Sequence, residues 1–149
     1  MNKLRQVLPL IAGLSLLALA ARGDAPVDQY AAFNKDDLTI IDKATALEWQ
    51  RNVLQATDLK TAAAKCNSLP GGPFRLPTVK ELLTLVDEFP HQEFDGVRAI
   101  DRNAFPGTPV PMAFATLGSN WVVYFDTGRA ESVTTLPNPL AVRCVFAKP

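Results

Sequence analysis

Only a few residues of this 149-residue chain have side chains that could do chemistry at a site. His91 is the single histidine, and Cys66 and Cys144 are the two cysteines. A general base needs a reacting group within hydrogen-bond reach, and the loop predicted around Pro90 and His91 supplies no obvious partner. Two cysteines without a histidine cluster do not make a zinc site. We therefore predict that the chain is not an enzyme and has no catalytic residue, metal or cofactor.

Polar residues in the second half are better candidates for ligand binding. Asn120, Asp126 and Arg129 begin or follow a predicted strand, and we expect them to be exposed in loops. That position alone makes them the candidate ligand-binding residues. We predict that the two tryptophans, Trp49 and Trp121, lie in the core instead, because large aromatic side chains are mostly buried.

Arg75, Thr78 and Glu81 form a polar group with two possible roles, ligand binding or support of a helix. The spacing of Thr78 and Glu81 fits a capping box, in which each side chain accepts a hydrogen bond from the other residue's backbone N–H. We favour the structural role, with Arg75 packing around the preceding loop. Arg143 precedes Cys144 on the opposite face of its strand, where a carboxylate or a ligand would suit it.

The N-terminus has the organisation of an export signal. Lys3 and Arg5 precede an apolar stretch that is short for a membrane span, and small residues favour cleavage after Ala20. We predict a signal peptide over 1–20 and a periplasmic or secreted protein without a membrane span. An uncleaved membrane anchor is the alternative. Arg22 occupies the position at which a lipoprotein signal would have its lipid-carrying cysteine.

Export also determines how we interpret the cysteines. In an oxidising compartment two cysteines most simply form one disulfide, Cys66–Cys144.

Without Lys3 and Arg5, the chain has 13 basic and 15 acidic side chains, a formal charge of −2. This balance, without a basic run, makes nucleic acid and anionic membrane surfaces poor candidate partners.

The hydrophobic pattern predicts one α+β domain after a lead-in over 21–36. The predicted elements are strands over 38–41 and 46–50, helices over 58–69 and 78–86, and strands over 120–125, 129–135 and 140–146. The proline-rich stretch 88–112 is predicted to be mostly loop, with Ile100 and Phe105 as anchors in the core. Cys66 and Cys144 are both expected to point inward.

Six segments resemble the Lcl C-terminal domain family in the same order, and predict that domain over 37–149. They are Leu38 to Gln50, Ala64 to Leu69, Arg75 to Asp87, Ile100 to Thr108, Trp121 to Gly128 and Val142 to Val145. The chain departs from the family pattern at Ala46-Leu47-Glu48, where a Gly-Leu-Met-like run is usual, at Phe74, where tryptophan is usual, and at Phe114-Ala115-Thr116, where a Tyr-Trp-Ser-Ser-like strand is usual.

The resemblance implies an exported bacterial domain from a family largely of unknown function. Its name-giving member, a collagen-like adhesin, is linked to sulfated polysaccharides. The segment from Arg75 to Glu81 also resembles formylglycine-generating-type domains, which implies a C-type-lectin-like fold with two short helices packed on antiparallel strands. Ser119-Asn120-Trp121 and Leu136-Pro137-Asn138 lack the carboxylates of calcium-dependent lectins, so we expect no calcium site.

Two functions from different classes follow as hypotheses. The first is an exported, non-enzymatic module that binds an envelope or extracellular polysaccharide. The alternative is a structural or interaction module that binds an envelope protein through the loop surface predicted over 88–112. A soluble saccharide should compete with the first kind of binding and leave the second unchanged.

Overall fold

The computed structural model describes residues 28–31, 37–87, 91–93, 96–118 and 120–147. The predicted signal peptide, 1–20, lies outside the described residues, as does the lead-in apart from 28–31. Within the described ranges the chain is α+β, with two helices, ten strands and one disulfide, which confirms the predicted class. No helix in those ranges is long and apolar enough to cross a membrane.

A three-stranded antiparallel sheet contains the predicted hairpin. Strand β1 (Thr39–Asp42) pairs with β2 (Leu47–Gln50), and β2 also pairs with β10 (Val145–Ala147). The described part of the lead-in extends this sheet, because Tyr30 forms a bridge with Asp42. This sheet therefore joins the beginning of the domain to its end.

Both predicted helices are present and shorter than expected. Helix α1 (Leu59–Asn67) is capped by Asp58, whose side chain accepts from the Thr61 N–H at 2.7 Å. Helix α2 (Val79–Leu83) is predicted to continue to Val86 but ends at Leu83, after which the backbone forms short turns. These turns still bury Leu85, one of the apolar residues from which the longer helix is predicted.

The second sheet has five strands in the order β3–β9–β6–β7–β8. The strands are β3 (Leu54–Ala56), β6 (Ala113–Ala115), β7 (Trp121–Tyr124), β8 (Arg129–Ser132) and β9 (Leu140–Val142). Neighbouring strands are antiparallel except β6 and β9, which are parallel. The sequence predicts β7, β8 and β9 but misses β3 and β6, which are three residues each.

The stretch 88–112 contains more regular structure than predicted. Strands β4 (His91–Glu93) and β5 (Gly96–Arg98) form an antiparallel hairpin. The prediction that His91 lies in a loop is therefore wrong, because its backbone belongs to β4. Ile100 and Phe105 are buried, as predicted.

The last predicted strand, 140–146, is divided into two at Arg143-Cys144. Strand β9 belongs to the five-stranded sheet and β10 to the three-stranded sheet, so the chain passes between sheets at these two residues. The Cys144 carbonyl accepts from the Gln50 N–H at 2.9 Å, which holds the passage against the end of β2. Both residues are fully buried although they follow one another, so simple alternation of faces fails here.

Hydrophobic residues fill both faces of the five-stranded sheet. Phe114 and Val123 face a cluster that includes Trp49, Leu82 and Phe105. The opposite face packs against a cluster around the disulfide Cys66–Cys144, which confirms the predicted bridge between α1 and the last strands.

Candidate functional site

Arg75, Thr78 and Glu81 hold the start of α2 together. Two hydrogen bonds join the Arg75 guanidinium to the Glu81 carboxylate, at 2.9 and 2.7 Å. The Thr78 N–H donates to Glu81 Oε2 at 2.7 Å, and the capping box is complete. Arg75 lowers the pKa of Glu81 to about 2. Because these groups satisfy one another, the geometry supports a structural role.

Arg143 lies inside the molecule rather than at a surface. Its guanidinium donates to the carbonyls of Gln50 and Arg51, at 2.8 and 2.7 Å, and to the Thr108 hydroxyl at 3.0 Å. It also lies 4.6 Å from the centre of the Phe105 ring. Burial lowers the pKa of Arg143 to about 9, so it still carries its charge at neutral pH. None of its hydrogen-bond partners among the described residues is a carboxylate.

A second buried arginine, Arg51, was not singled out from the sequence. Its Nε donates to the Ala104 carbonyl at 2.9 Å, and Nη2 donates to the Asn103 carbonyl at 3.0 Å. Together Arg51 and Arg143 attach the segment around 103–108 to the end of β2. The sequence holds no signal for this, because the acceptors are backbone carbonyls that any residue carries.

The structure does not bring the three candidate ligand-binding residues together. Asn120 precedes β7, and its carbonyl accepts from the Val133 N–H at 2.8 Å. Asp126 and Arg129 lie beyond the other end of β7, where Tyr124 pairs with Arg129. A strand of four residues spans roughly 13 Å. Asn120 therefore belongs to a different surface from Asp126 and Arg129.

Trp121 is exposed where Asn120 leads into β7. The prediction of a core position is confirmed for Trp49, which is fully buried, and is wrong for Trp121, which is 43% exposed. Trp121 is the first residue of its strand, so it lies at the end of the sheet, where packing covers little more than half of its side chain. Leu117, in the loop of the same β6–β7 hairpin, is 49% exposed.

Neighbouring groups fix the position of Trp121. The Thr116 hydroxyl donates to the Trp121 carbonyl at 2.6 Å. The bond from Val133 to Asn120 makes Trp121 and Ser132 a non-hydrogen-bonded pair, in which side chains lie about 5 Å apart. We call Trp121 and Ser132, which share one face at this end of the sheet, the Trp121 platform. It combines an exposed indole with a hydroxyl, and Leu117 and Asn120 lie at the same end of the sheet.

Two grooves lie elsewhere on the molecule, and the smaller one is lined in part by Leu38, Leu69 and Phe74. A groove of about 270 Å³ runs along β1 and is lined by residues that include Leu38, Ile41 and Glu48, without an aromatic ring. It lies at the three-stranded sheet, whereas the platform belongs to the five-stranded sheet. Within the described ranges, no group of three or more histidine, cysteine, aspartate or glutamate residues could hold a metal ion.

Comparison with known proteins agrees with the resemblance that the motifs indicate. The family model described as the Lcl C-terminal domain matches residues 38–146. The chain belongs to the Lcl C-terminal domain family. The matched range takes in both sheets, the disulfide and the platform, and begins after Tyr30, so the bridge between Tyr30 and β1 lies outside it. No curated protein and no solved structure matches the chain.

Proposed function

We propose that this Lcl C-terminal domain is an exported, non-enzymatic module that binds an envelope or extracellular polysaccharide. The observation that carries the proposal is the exposure of Trp121 on a strand of the sheet, directly across from Ser132. A half-exposed indole on a regular strand is a rigid, flat surface that loses little conformational entropy when a ligand covers it.

The chemistry of a sugar ring suits such a surface. One face of a pyranose ring carries C–H bonds that pack on the electron-rich face of an indole, while hydroxyl groups project from its edge. In the platform, the Ser132 hydroxyl shares the face of Trp121 and can donate and accept hydrogen bonds. A hydroxyl binds sugar hydroxyls directly, so we expect binding to persist when calcium is removed by a chelator.

We propose in addition that the domain is C-type-lectin-like. Three features support this: the disulfide from the first helix to the last strands, the two short helices, and the passage of the chain between two sheets at Arg143-Cys144. A lectin-like arrangement would place loops at the sheet ends, which is where the Trp121 platform lies.

The experiment is a glycan array probed with oxidised mature protein at physiological salt, with calcium and with chelator. Wild type should bind at least one glycan in both conditions. Trp121→Ala should weaken that binding about tenfold or more, equivalent to about 1.4 kcal/mol. Leu38→Ala is the matched control, because Leu38 is an exposed apolar residue, 60% accessible, at the other sheet.

Two results would contradict the proposal. One is a blank array with protein that is folded and oxidised, which would favour an envelope protein as the partner. The other is a hit that Trp121→Ala leaves unchanged, which would move the binding surface elsewhere on the domain. Competition by the soluble saccharide separates these cases, because it should release a glycan-held complex and leave a protein complex intact.

A further inference from the structure

We infer that the edge of β1 is a docking site for an extended, positively charged segment of a partner protein. This edge belongs to the three-stranded sheet, whereas the Trp121 platform belongs to the five-stranded sheet, so the inference goes beyond the proposed function. It also concerns a different surface from the stretch 88–112. Its basis is the direction of the backbone groups of β1, the groove beside them and the charge of that groove.

The hydrogen bonds around β1 show which of its backbone groups face away from the sheet. The Gln50 N–H donates to the Cys144 carbonyl at 2.9 Å, on the side of β10. Thr39 lies directly opposite Gln50, so the two form a non-hydrogen-bonded pair and the Thr39 N–H and C=O point away from β2. Ile41 has the same direction, because its carbonyl accepts from the Ala31 N–H at 2.9 Å. An added strand can therefore bond to this edge.

The lead-in already pairs with one end of the edge. Tyr30 forms an antiparallel bridge with Asp42, and the Lys43 N–H donates to the Gln29 carbonyl at 2.8 Å. Thr39 carries outward groups nearer the start of the strand. A docked segment would therefore extend along β1 a kind of pairing that the chain itself begins.

The groove along β1 lies at the same edge. Its lining includes Thr39 and the exposed apolar side chains of Leu38 and Ile41. An extended segment beside β1 would cover these side chains while its backbone bonds to Thr39. Main-chain hydrogen bonds combined with side-chain contacts are the means by which strand addition binds a peptide.

The charge of the groove indicates the kind of segment that fits. Of the described residues that line it, Asp37 and Glu48 are acidic and none is basic. Glu48 lies directly across from Ile41, and its Oε1 accepts from the Thr39 hydroxyl at 2.7 Å, which fixes the carboxylate beside the edge. A carboxylate can accept further hydrogen bonds. Two strand spacings amount to about 10 Å, which a lysine or arginine and a glutamate can bridge together.

A second copy of this chain fits the edge less well than a basic segment does. Pairing two β1 edges would bring two acidic grooves together, and like charges across an interface oppose association. Opposite charges attract, so a lysine-rich or arginine-rich segment gains from the same residues that disfavour self-association.

The test measures binding of a fluorescein-labelled Lys-Val-Lys-Val-Lys-Val peptide to oxidised mature protein by fluorescence polarisation. The matched probe is Glu-Val-Glu-Val-Glu-Val, which has the same length and alternation with the opposite charge. We expect the basic peptide to bind about tenfold or more tightly than the acidic one. Its affinity should fall as the salt concentration rises.

Thr39→Pro and Thr39→Val form a matched pair of variants. Proline removes the outward N–H and is tolerated at an edge, whereas valine removes only the hydroxyl. Thr39→Pro should weaken binding of the basic peptide about tenfold or more, and Thr39→Val by less than about threefold. Glu48→Gln should weaken it about threefold or more. Leu117→Ala, which changes an exposed apolar residue elsewhere, should leave it unchanged.

Three results would overturn the inference. They are no binding of the basic peptide to folded protein, equal binding of the two peptides, and equal effects of Thr39→Pro and Thr39→Val. Glu48→Gln keeps the test decisive in case Thr39→Pro does not fold, because unchanged binding in that variant would equally contradict the docking site. Failure here leaves the polysaccharide proposal standing, since that proposal is tested at the other sheet.

Discussion

Ala46 adopts a backbone conformation that favours glycine. Its φ is 58°, in the left-handed region, at the last turn residue before β2. A residue with a side chain costs about 1–2 kcal/mol in that region, and the greater freedom of glycine in the unfolded chain offsets part of the gain. Ala46→Gly should raise the free energy of unfolding by roughly 0.5–1 kcal/mol in urea denaturation. Ala44→Gly, in the same turn at a negative φ, should give no increase, and equal gains in both variants would contradict the account.

The Arg75–Glu81 pair makes part of the stability depend on pH. The hydrogen bonds from Arg75 lower the pKa of Glu81 from 4.5 to about 2. Because the pKa of Glu81 is lower in the folded state than in the unfolded state, the stabilisation is complete above about pH 4.5. It is lost as the pH falls toward 2. The Arg75 side chain is 37% exposed, so solvent screening reduces the contribution to about 1–2 kcal/mol.

Glu81→Gln should remove this dependence. Urea denaturation at about pH 3 and about pH 6 should show a smaller difference in unfolding free energy for Glu81→Gln than for wild type. Glu131→Gln, on the exposed strand β8, is the control and should follow wild type. A Glu81→Gln variant that keeps the full acid sensitivity would show that other groups cause it.

The passage between β9 and β10 depends on Arg143. Methionine has a similar length but would leave the Gln50 and Arg51 carbonyls and the Thr108 hydroxyl without this donor, at about 1–3 kcal/mol each. Removing the buried charge offsets part of that loss. We expect Arg143→Met to lower the free energy of unfolding by about 2 kcal/mol or more in chemical denaturation, and Arg143→Lys to lose less. An Arg143→Met variant with the same free energy of unfolding as wild type would refute the role of Arg143 in holding the two sheets together.

Elements with a local cause could be predicted from the sequence, and elements with a distant cause could not. The capping box at Thr78 and Glu81 and the first hairpin depend on neighbouring residues, and both are present. The alternation of apolar and polar residues shows which side of a strand is buried only where the other side is in contact with solvent. In β7, Val122 and Val123 are both fully buried because hydrophobic clusters cover both faces of the sheet.

The candidate site shows the same division. The sequence predicts Asn120 as a candidate from its position at the start of a strand, and it predicts a core position for Trp121 because aromatic residues are mostly buried. Its exposure follows from the end of the sheet at that residue, which depends on where β6 and β8 pair with β7. The divided strand at Arg143-Cys144 escaped prediction likewise, because its two halves pair with strands far away in the sequence.

The disulfide stabilises the molecule as a whole. Cys66 and Cys144 are 78 residues apart, and closing a loop of that length contributes roughly 4–5 kcal/mol in the chain-entropy model. Replacing both cysteines by alanine should lower the free energy of unfolding by about 3–5 kcal/mol in urea denaturation. Alkylation of the native protein should add mass only after reduction and unfolding. Alkylation of both cysteines without reductant would contradict the bridge.

The central claim, that the Trp121 platform binds a polysaccharide, is tested most directly by nuclear magnetic resonance of the indole N–H groups. The sequence has two tryptophans, so the exposed Trp121 and the buried Trp49 give one signal each, assigned with Trp121→Phe. Titration with a polysaccharide that binds on the glycan array should shift the Trp121 signal and leave the Trp49 signal in place. A Trp121 signal that such a polysaccharide does not move, while the protein stays folded, would contradict the account.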